Sequence, residues 1–466
     1  MEVDSAVVAA ARRACRVASP RALYLRLAEA LASHLESDGG EVLPPARELG
    51  RQLAVNRATV TAAYRELARR GLVVLRPGRP GRQSRPGEAG AGIGGAQAPG
   101  GLVDLARYAP DRELLPPGRV FGWLGLGEAE GEGVAQYGSA RGYLPLRGWL
   151  AASLRRLGIA TDAERVLLTG GLQHALDLLL RALVRPGDAV LVEDPSYPGL
   201  PPLLALHRLA AVGLPVHGDG IVPEEAAALL RRHHVRAAIL TPTLHNPSGV
   251  VLDAARRRKL LALLRRAGAL VIEEFFDPAL VCDGAAPAPL AALDPDVVAV
   301  GSFSKALFPG LRVGWITGPA AVVDRAAAVK CTADLSGSTF LEAAAWTLCK
   351  RGVFEIQLAR LRRAAGARRS IVLGLLEGAP PGVGWSEPRG GFSLLVTLPT
   401  GWSSRDVAAR AAERGVWVLP GPAMSVSGRD DVLRVAYAAV GGAALRRATR
   451  GVVAALGPER GGVPLV

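Results

Sequence analysis

Five short apolar runs recur between residues 165 and 300, and longer stretches with helical spacing separate them. The runs are Arg165–Leu168, Ala189–Val192, Ala237–Leu240, Leu270–Ile272 and Val297–Val300. Continuously apolar strands are typical of parallel sheets, because helices cover both faces of such a sheet. The pattern therefore predicts an α/β fold with a mostly parallel sheet. Binding residues are then expected at the carboxyl ends of the strands.

The bulk composition limits the class of protein. A chain of 466 residues is too long for one ordinary domain, and its 49% of hydrophobic residues is enough for a sizeable core. No apolar run of about 18 residues predicts a membrane span, and the N-terminus lacks the apolar stretch of a secretion signal. The four cysteines have no metal-ligand spacing. We therefore expect a reduced, cytoplasmic protein without a metal site or a membrane partner.

Positive charge is concentrated near the N-terminus. The formal net charge is +14, and the first 86 residues contribute +7 of it, from 15 arginines and 8 acidic residues. Such a density favours a polyanionic partner. A generally arginine-rich composition is the alternative, since lysine is almost absent from the whole chain, and charge alone leaves both interpretations open.

The first 71 residues have the pattern of three helices. Leucines four apart predict a helix over residues 21–35, and Leu43-Pro44-Pro45 ends it and starts a second one. Asn56 is the predicted N-cap of a third helix, which ends near Gly71. The inward-facing residues of these helices are Leu23, Leu27, Leu31, Leu35, Ala46, Leu49, Leu53, Val60, Tyr64 and Leu67.

The outer face of the third helix is basic. Arg57, Thr61, Arg65 and Arg69 are four apart, and a strand at residues 72–75 and a Gly/Pro/Arg segment at residues 76–85 follow. A solvated surface helix is one interpretation. The other is a recognition helix with a two-stranded wing, in which the arginines contact phosphates and the N-terminal residues contact bases.

The segment LPPARELGRQLAVNRATVTAAYRELARRGLV (residues 43–73) resembles the winged helix-turn-helix of GntR-type regulators. The resemblance implies that Arg47, Arg57 and Thr59 contact double-stranded DNA, with Thr61 and Arg65 on the same surface. The wing departs from the Gly-x-Gly-Thr pattern of that family, because residues 78–81 are Gly-Arg-Pro-Gly.

Lys305 follows the last apolar run and is one of only four lysines. An ordinary surface lysine is the simplest interpretation. However, Gly301, Ser302 and Ser304 surround it and Arg312 follows. An amine at a strand end can form a Schiff base with an aldehyde cofactor. The hydroxyl of Ser302 and the guanidinium of Arg312 are suitable phosphate ligands.

Three further strand ends carry residues that suit the same cofactor. Thr169-Gly170-Gly171-Leu172-Gln173 connects a strand to a helix N-terminus, which is a favourable anion site. Tyr197 follows the next strand and could stack on a flat ring. Asn246 offers an amide beside a proline turn. Each signal alone is weak, because such turns are common, but their order along the chain favours one shared site.

Together these residues resemble the fold-type I, aspartate-aminotransferase-like family that uses pyridoxal 5′-phosphate (PLP), over residues 104–445. The resemblance implies an internal aldimine on Lys305. It assigns phosphate binding to Gly171, Leu172, Gln173, Ser302 and Arg312, ring stacking to Tyr197 and a hydrogen bond to O3′ to Asn246. Arg434 matches the position that binds a substrate carboxylate, although an ordinary strand arginine is the alternative.

Two positions depart from that family. Glu274 occupies the place of the aspartate that pairs with the pyridine nitrogen, and Phe276 that of the tyrosine that donates to O3′. Glutamate still supplies a carboxylate, one methylene further out. Phenylalanine supplies no hydroxyl, and the loss argues against efficient transamination.

A GntR-like head, a linker and an aminotransferase-like body form the plan of MocR-type transcriptional regulators. We expect the DNA-binding domain in residues 1–82, a flexible linker in 83–103, and the PLP-binding domain in 104–466, with its large part at about 140–325 and its small part at about 326–466. The resemblance implies a homodimer and an amino-acid-like or B6-vitamer effector. An active aminotransferase with an added head, and a body that has lost its cofactor and only dimerises the heads, are the alternatives.

Overall fold

A computed structural model describes residues 8–9, 11–12, 15, 22–37, 43–69, 73–74, 82–83, 98–118, 122 and 134–457 of the protein. The chain divides into two compact units, residues 1–93 and 94–466. Gly71, the wing tip at residues 78–81 and most of the predicted linker lie outside the described residues. Val103, the last residue of the predicted linker, belongs to a strand of the second unit.

The helices and strands of the first unit whose bounds lie in the described residues are three helices and a pair of short strands. These are α1 (Leu23–Ser37), α2 (Ala46–Leu53), α3 (Arg57–Arg69), β1 (Val73–Val74) and β2 (Arg82–Gln83), and the two strands pair antiparallel. Ala54, in the left-handed conformation at φ 53°, connects α2 to α3. Oδ1 of Asn56 accepts a hydrogen bond from the backbone N–H of Ala58 at 2.8 Å, which confirms the predicted N-cap.

The inner faces of the three helices form one small core. Leu27, Leu31, Leu49 and Leu67 are fully buried in it. Tyr64 also lies there, and its hydroxyl donates a hydrogen bond to the carbonyl of Pro44 at 2.7 Å, so its polar end is satisfied. This core fixes α3 against α1 and α2 and leaves its other face to the solvent.

The second unit is built on an eight-stranded sheet in the order β4-β11-β10-β9-β8-β5-β6-β7. Its strands are β4 (Val166–Thr169), β5 (Ala189–Asp194), β6 (Ala210–His217), β7 (Gly220–Ile221), β8 (Val235–Leu240), β9 (Leu270–Glu274), β10 (Val298–Ser302) and β11 (Gly314–Thr317). Five neighbouring strands are parallel, and β7 and β11 run in the opposite direction. Because β11 is antiparallel to both β4 and β10, β4 runs in the same direction as the parallel strands.

Helices cover both faces of this sheet. They are α4 (Leu144–Arg156), α5 (Leu172–Leu183), α6 (Leu200–Leu206), α7 (Pro223–Arg232), α8 (Ala254–Arg266), α9 (Leu290–Leu293), α10 (Ala320–Asp334) and α11 (Thr339–Lys350). Leu191 and Ala238 point into one apolar cluster, whereas Val190 and Ile239 point into another on the opposite face. Burial on both faces explains why the strands are continuously apolar in sequence.

A smaller α+β part follows. It contains α12 (Val353–Leu376), α13 (Ser404–Glu413), α14 (Gly442–Ala455) and the antiparallel sheet β12-β13-β16-β15, formed by Gly384–Trp385, Leu394–Thr397, Val432–Val435 and Leu419–Pro420. A separate parallel pair joins β3 (Val103–Asp104) to β14 (Val416–Trp417). The segment after β3 thereby packs on the small part, and it also reaches the strand ends of the large sheet through Tyr108.

Candidate functional site

Lys305 lies in the turn after β10, where its amine is held among protein groups. Its Nζ donates a hydrogen bond to the backbone carbonyl of Tyr108 and lies 5.1 Å from the centroid of that residue's ring. Burial and, to a smaller extent, the charge of Arg434 lower the pKa of Lys305 to about 8 against an opposing effect of Glu274. A larger share of the amine is therefore neutral, and only the neutral amine is nucleophilic.

Arg434 is a buried cation on β16, with 3% of its surface exposed. Its Nη1 donates to Oδ1 of Asn246 at 3.0 Å and its Nη2 to the carbonyl of Ala106 at 2.6 Å. Its Nε has no hydrogen-bond partner among the described residues, and burial lowers the pKa of Arg434 to about 10. A buried guanidinium held by neutral oxygens alone is suited to an anionic ligand.

The predicted phosphate ligands come together at the N-terminus of α5. Gly171 precedes this helix at φ 101°, and a Cβ added there would lie 2.8 Å from Nη2 of Arg312. Arg312 donates to the carbonyl of Gly170 at 2.8 Å. A Cβ on Gly314 would lie 2.6 Å from the carbonyl carbon of Gly171. The two glycines keep this anion site open, and the first N–H groups of α5, at Leu172 and Gln173, are available to it.

Ser302 and Gln173 lie at the same edge of the sheet. Oγ of Ser302, the last residue of β10, accepts a hydrogen bond from the backbone N–H of Ser304 at 3.0 Å. Nε2 of Gln173 donates to the carbonyl of Gly199 at 3.0 Å, and its Oε1 is buried without a partner among the described residues. Oγ of Ser304 is likewise unpartnered there. Orphaned buried polar atoms at strand ends fit a site that a polar ligand completes.

Tyr197 lies close enough to the other site residues for their charges to shift its pKa. Burial raises its pKa to about 12, and the charge of Glu274 adds to the rise while Arg312 and Arg434 oppose it. The phenol therefore lies within electrostatic range of the phosphate-site arginine, the buried arginine and the carboxylate. Among the described residues, the one cis peptide bond joins Asp194 to Pro195, two residues before Tyr197.

Glu274 ends β9 and is buried beside Thr241, whose Oγ1 donates to its Oε2 at 3.2 Å. Burial raises the pKa of Glu274 to about 7, against the lowering effects of the Thr241 hydrogen bond and the charge of Lys305. Phe276 lies close by and its ring meets that of Tyr108 edge to face, with 6.1 Å between the centroids. The structure thus brings both departures from the family pattern into the site.

Tyr108 is the site residue that sequence reasoning missed. Besides Lys305, it contacts Arg434, whose Cζ is 5.4 Å from the ring centroid, and Phe392, whose ring centroid is 5.5 Å away. No sequence motif marks Tyr108, because it lies in an irregular segment that is 197 residues away from Lys305. Only the pairing of β3 with β14 brings this segment to the strand ends.

The first unit presents the predicted DNA-contacting residues around α3. Arg47, Arg57 and Arg65 are exposed, and none of their three guanidinium groups has a hydrogen-bond partner among the described residues. Thr59 and Thr61 are partly buried, and the hydroxyl of Thr61 donates to the carbonyl of Arg57 at 2.9 Å. Unpaired guanidinium groups are suited to phosphate contacts, and those of Arg47 and Arg57 lie in the first turns of α2 and α3.

The fold and the sites together define a class of protein. A winged helix-turn-helix unit precedes a body with a mostly parallel sheet, in which a lysine, an anion cradle and a buried arginine gather at the strand ends. Within the described residues, no helix is both long and apolar enough to cross a membrane.

Comparisons with known proteins agree with this class. Residues 120–452 match the family "Aminotransferase class I and II", and residues 22–81 match "Bacterial regulatory proteins, gntR family". The chain belongs to the aminotransferase class I and II family and, with its GntR helix-turn-helix, has the architecture of MocR-type regulators. The α/β fold prediction is confirmed. Aminotransferases of this class are PLP-dependent, so the cofactor prediction is confirmed at the level of the family.

Individual relatives fall into two groups. The probable rhizopine catabolism regulatory protein MocR of Rhizobium meliloti is 30% identical over 76% of this chain and 76% of its own length. The 2-aminoadipate transaminase of Thermus thermophilus is 31% identical over 76% of this chain and 91% of its own. Among solved structures, Pyrococcus horikoshii kynurenine aminotransferase in complex with PMP has a TM-score of 0.73 and 29% identity, over 76% of this chain and 91% of that one. The GntR unit identifies the chain as a DNA-binding regulator with an aminotransferase-like body.

Proposed function

We propose that this regulator holds PLP covalently on Lys305 and binds an amino-acid-like or B6-vitamer effector at the same site. One observation carries the proposal. Nζ of Lys305 and Cζ of Arg434 lie 5.1 Å and 5.4 Å from the ring centroid of Tyr108. An amine with a lowered pKa is thus next to a buried guanidinium that has no carboxylate partner among the described residues. This pairing suits a ligand that carries both an amino group and a carboxylate.

The residues at the strand ends suit the parts of PLP one by one. PLP supplies an aldehyde that bonds covalently to amines, and Lys305 supplies the amine. The N-terminus of α5 at Gly171, Leu172 and Gln173, with Ser302 and Arg312, would hold the phosphate. Glu274 would face the ring nitrogen, and Tyr197 would stack on the ring. Because Oδ1 of Asn246 already accepts from Arg434, its amide N–H groups remain as donors for O3′.

Arg434 would bind the carboxylate of the effector. Its guanidinium is preorganised by Asn246 and the carbonyl of Ala106, so little side-chain entropy is lost when a ligand docks. An effector amine would compete with Lys305 for its covalent partner and free the lysine amine. A ligand that prefers one conformation of the body shifts the population of that conformation, and the DNA-binding units attached to it respond.

The active form is proposed to be a homodimer on paired half-sites of double-stranded DNA. Large apolar side chains of the second unit are exposed at Tyr137 (88%), Leu335 (62%) and Phe340 (50%). A Cβ on Gly138 would lie 2.7 Å from Oγ1 of Thr339. Tyr137 precedes Gly138 and Phe340 follows Thr339, so these two exposed residues lie in one region. An exposed apolar surface of this kind supports contact with a second copy of the chain.

The test of covalent PLP binding is the visible absorbance of the full-length protein after incubation with PLP and dialysis. We expect retained absorbance for the wild type and for Lys259→Ala, an exposed surface lysine paired with Glu224. We expect none for Lys305→Ala. Equal spectra for Lys305→Ala and the wild type would remove Lys305 from the proposal. Amino acids and B6 vitamers are then screened for a change in operator affinity.

A catalytically active aminotransferase is the second candidate, because Lys305 and Arg434 both remain in the site and a transaminase is among the relatives. The loss of a hydroxyl at Phe276 argues against it. Purified protein supplied with amino donors and a keto acid decides: multiple turnovers at the rate of a metabolic enzyme would overturn the regulator-only interpretation.

A further inference from the structure

Two buried glutamates, on the strands at either side of β8, share one threonine. The backbone N–H of Thr241 donates to Oε2 of Glu193 at 2.7 Å, and Oγ1 of the same residue donates to Oε2 of Glu274 at 3.2 Å. Glu193 lies near the end of β5, Thr241 directly after β8, and Glu274 at the end of β9. The exposed fractions of the three residues are at most 4%. Thr241 therefore couples two carboxyl groups that water does not screen.

The two carboxyl groups differ in how readily they ionise. Burial raises the pKa of Glu193 to about 8 against the lowering effect of its hydrogen bond with Thr241, and the charge of Glu274 contributes to the rise. Burial raises the pKa of Glu274 only to about 7, because the Thr241 hydroxyl and Lys305 lower it. As the pH rises, Glu274 therefore ionises first, and its charge disfavours a second charge on Glu193.

His245 does not supply the positive charge that an ionised Glu193 would need. Burial lowers the pKa of His245 to about 3, so its ring is neutral. Its Nδ1 lies 2.8 Å from Oγ of Ser248, and its Nε2 lies 3.5 Å from Oε2 of Glu193 and has no hydrogen-bond partner among the described residues. The His245 side chain is buried and its Nε2 faces Glu193, where a neutral ring suits a neutral carboxyl group.

The charged groups near the two glutamates lie closer to Glu274 than to Glu193. The pKa values of Tyr108, Tyr197 and Lys305 all respond to the charge of Glu274, whereas Glu274 is the one charged group of the described part of the chain that shifts the pKa of Glu193. Other titratable or cationic groups near these strand ends include Arg107, His174, Asp194, His245, Arg312 and Arg434. Glu274 therefore faces the candidate cofactor site. Glu193 lies further from that site and is connected to Glu274 through Thr241.

We propose that Glu193 is a positioning residue, which acts through Thr241 to keep the carboxylate of Glu274 ionised and directed at the ring nitrogen of PLP. The inference rests on the proposed function, because it assumes PLP at Lys305. Glu193 accepts the N–H of Thr241 and so fixes the hydroxyl that stabilises the Glu274 carboxylate. At neutral pH, Glu193 keeps its proton and adds no second charge. Above about pH 8, it ionises and strengthens the negative potential at the ring nitrogen.

The test follows the ¹⁵N chemical shift of ring-¹⁵N-labelled PLP on the full-length protein during a pH titration. Glu193→Gln is isosteric and stays neutral. We expect it to match the wild type below about pH 7 and to lose the ring-nitrogen proton at a pH lower by on the order of one unit, because the second negative charge is absent. Thr241→Val removes the hydroxyl. Already at pH 7, its ¹⁵N resonance should move toward the chemical shift of an unprotonated pyridine nitrogen. Thr241→Ser keeps the hydroxyl and should resemble the wild type.

Glu273→Gln is the matched control. Glu273 is the neighbouring buried glutamate on β9, but its carboxylate accepts the N–H groups of Leu290 and Ala291 at 3.0 Å and 2.9 Å. We expect no shift of the titration in this variant. Titrations of Glu193→Gln and Thr241→Val identical to that of the wild type would overturn the positioning role. If Glu193→Gln does not fold, the two Thr241 variants decide. A wild type that shows no signal of bound PLP overturns the proposed function and the positioning role together.

Discussion

Arg434 on β16 donates a hydrogen bond to Asn246 in the loop after β8, 188 residues away in the chain, with 3.0 Å between Nη1 and Oδ1. The bond joins the small part of the body to the edge of the large sheet. It fixes the guanidinium beside Tyr108 and leaves Nε without a partner among the described residues. A residue of the small part is thereby held at the strand ends, where a bound ligand can act on both parts.

Arg434→Gln should weaken the binding of carboxylate-bearing effectors and spare the covalent binding of PLP. Loss of a charge-assisted hydrogen bond costs about 2–3 kcal/mol, so we expect an effector Kd higher by roughly 30-fold to 150-fold. Spectral titration of the PLP-loaded protein with amino acids measures it. Arg429→Gln, which breaks the pair with Asp431 at 2.8 Å, is the control and should leave the Kd unchanged. An unaltered Kd in Arg434→Gln would remove the carboxylate role.

The rate at which the protein captures PLP should depend on pH through Lys305. Its pKa is lowered to about 8, so the share of neutral amine rises about tenfold per pH unit below that value and levels off above it. Stopped-flow absorbance on the apoprotein gives the rate at each pH. Arg434→Gln removes a positive charge that lowers the pKa of Lys305, and should move the midpoint to higher pH. A pH-independent rate between 6 and 8 contradicts the prediction.

Phe276→Tyr should increase the transamination chemistry of the body. The substitution returns a hydroxyl to the position where the family has a donor to O3′, beside Tyr108. Single-turnover absorbance with an amino acid is the measurement, and we expect a gain of about tenfold or more, the range of one positioned hydrogen bond. Phe275→Tyr adds the same hydroxyl beside Trp315 and should give no gain. Equal rates in Phe276→Tyr and the wild type would mean that the missing hydroxyl does not limit the chemistry.

Much of the fold was predictable because strands of the large sheet are apolar on both faces. The run Ala189–Val192 became β5 at Ala189–Asp194, and Val297–Val300 became β10 at Val298–Ser302. The antiparallel β11 between β4 and β10 was not predicted, since Gly314–Thr317 is too short to be distinguished from the loop around it.

The candidate site was predictable where one local segment carries the chemistry, as at Lys305 or Gly171. It was not predictable where the chemistry is in a contact between distant segments. Tyr108 reaches Lys305 only because β3 pairs with β14, and Glu193 reaches Glu274 only through Thr241. Such contacts depend on strand order, which single-residue patterns do not encode.

Arg57→Ala combined with Arg65→Ala should weaken binding of the full-length protein to its operator DNA. Both side chains are exposed and unpaired among the described residues of α3. Each phosphate contact contributes about 0.9 to the slope of log K against log salt, so the slope should become less steep by about 2. Arg265→Ala combined with Arg266→Ala removes the same charge from α8 of the body and should change neither quantity.

Titrations at several salt concentrations by fluorescence anisotropy separate the possible results. A weaker affinity with an unchanged salt slope would mean that the two arginines contact bases rather than phosphates. Unchanged affinity and slope would remove them from the DNA interface.

Asn56→Ala tests the stability of the helix itself. Without the hydrogen bond from the Ala58 N–H to Asn56, we expect the first unit to lose about 1 kcal/mol of stability, whereas Asn56→Asp keeps the acceptor and should not. Loss of binding in the arginine pair with unchanged helix content then assigns the effect to contact and not to folding.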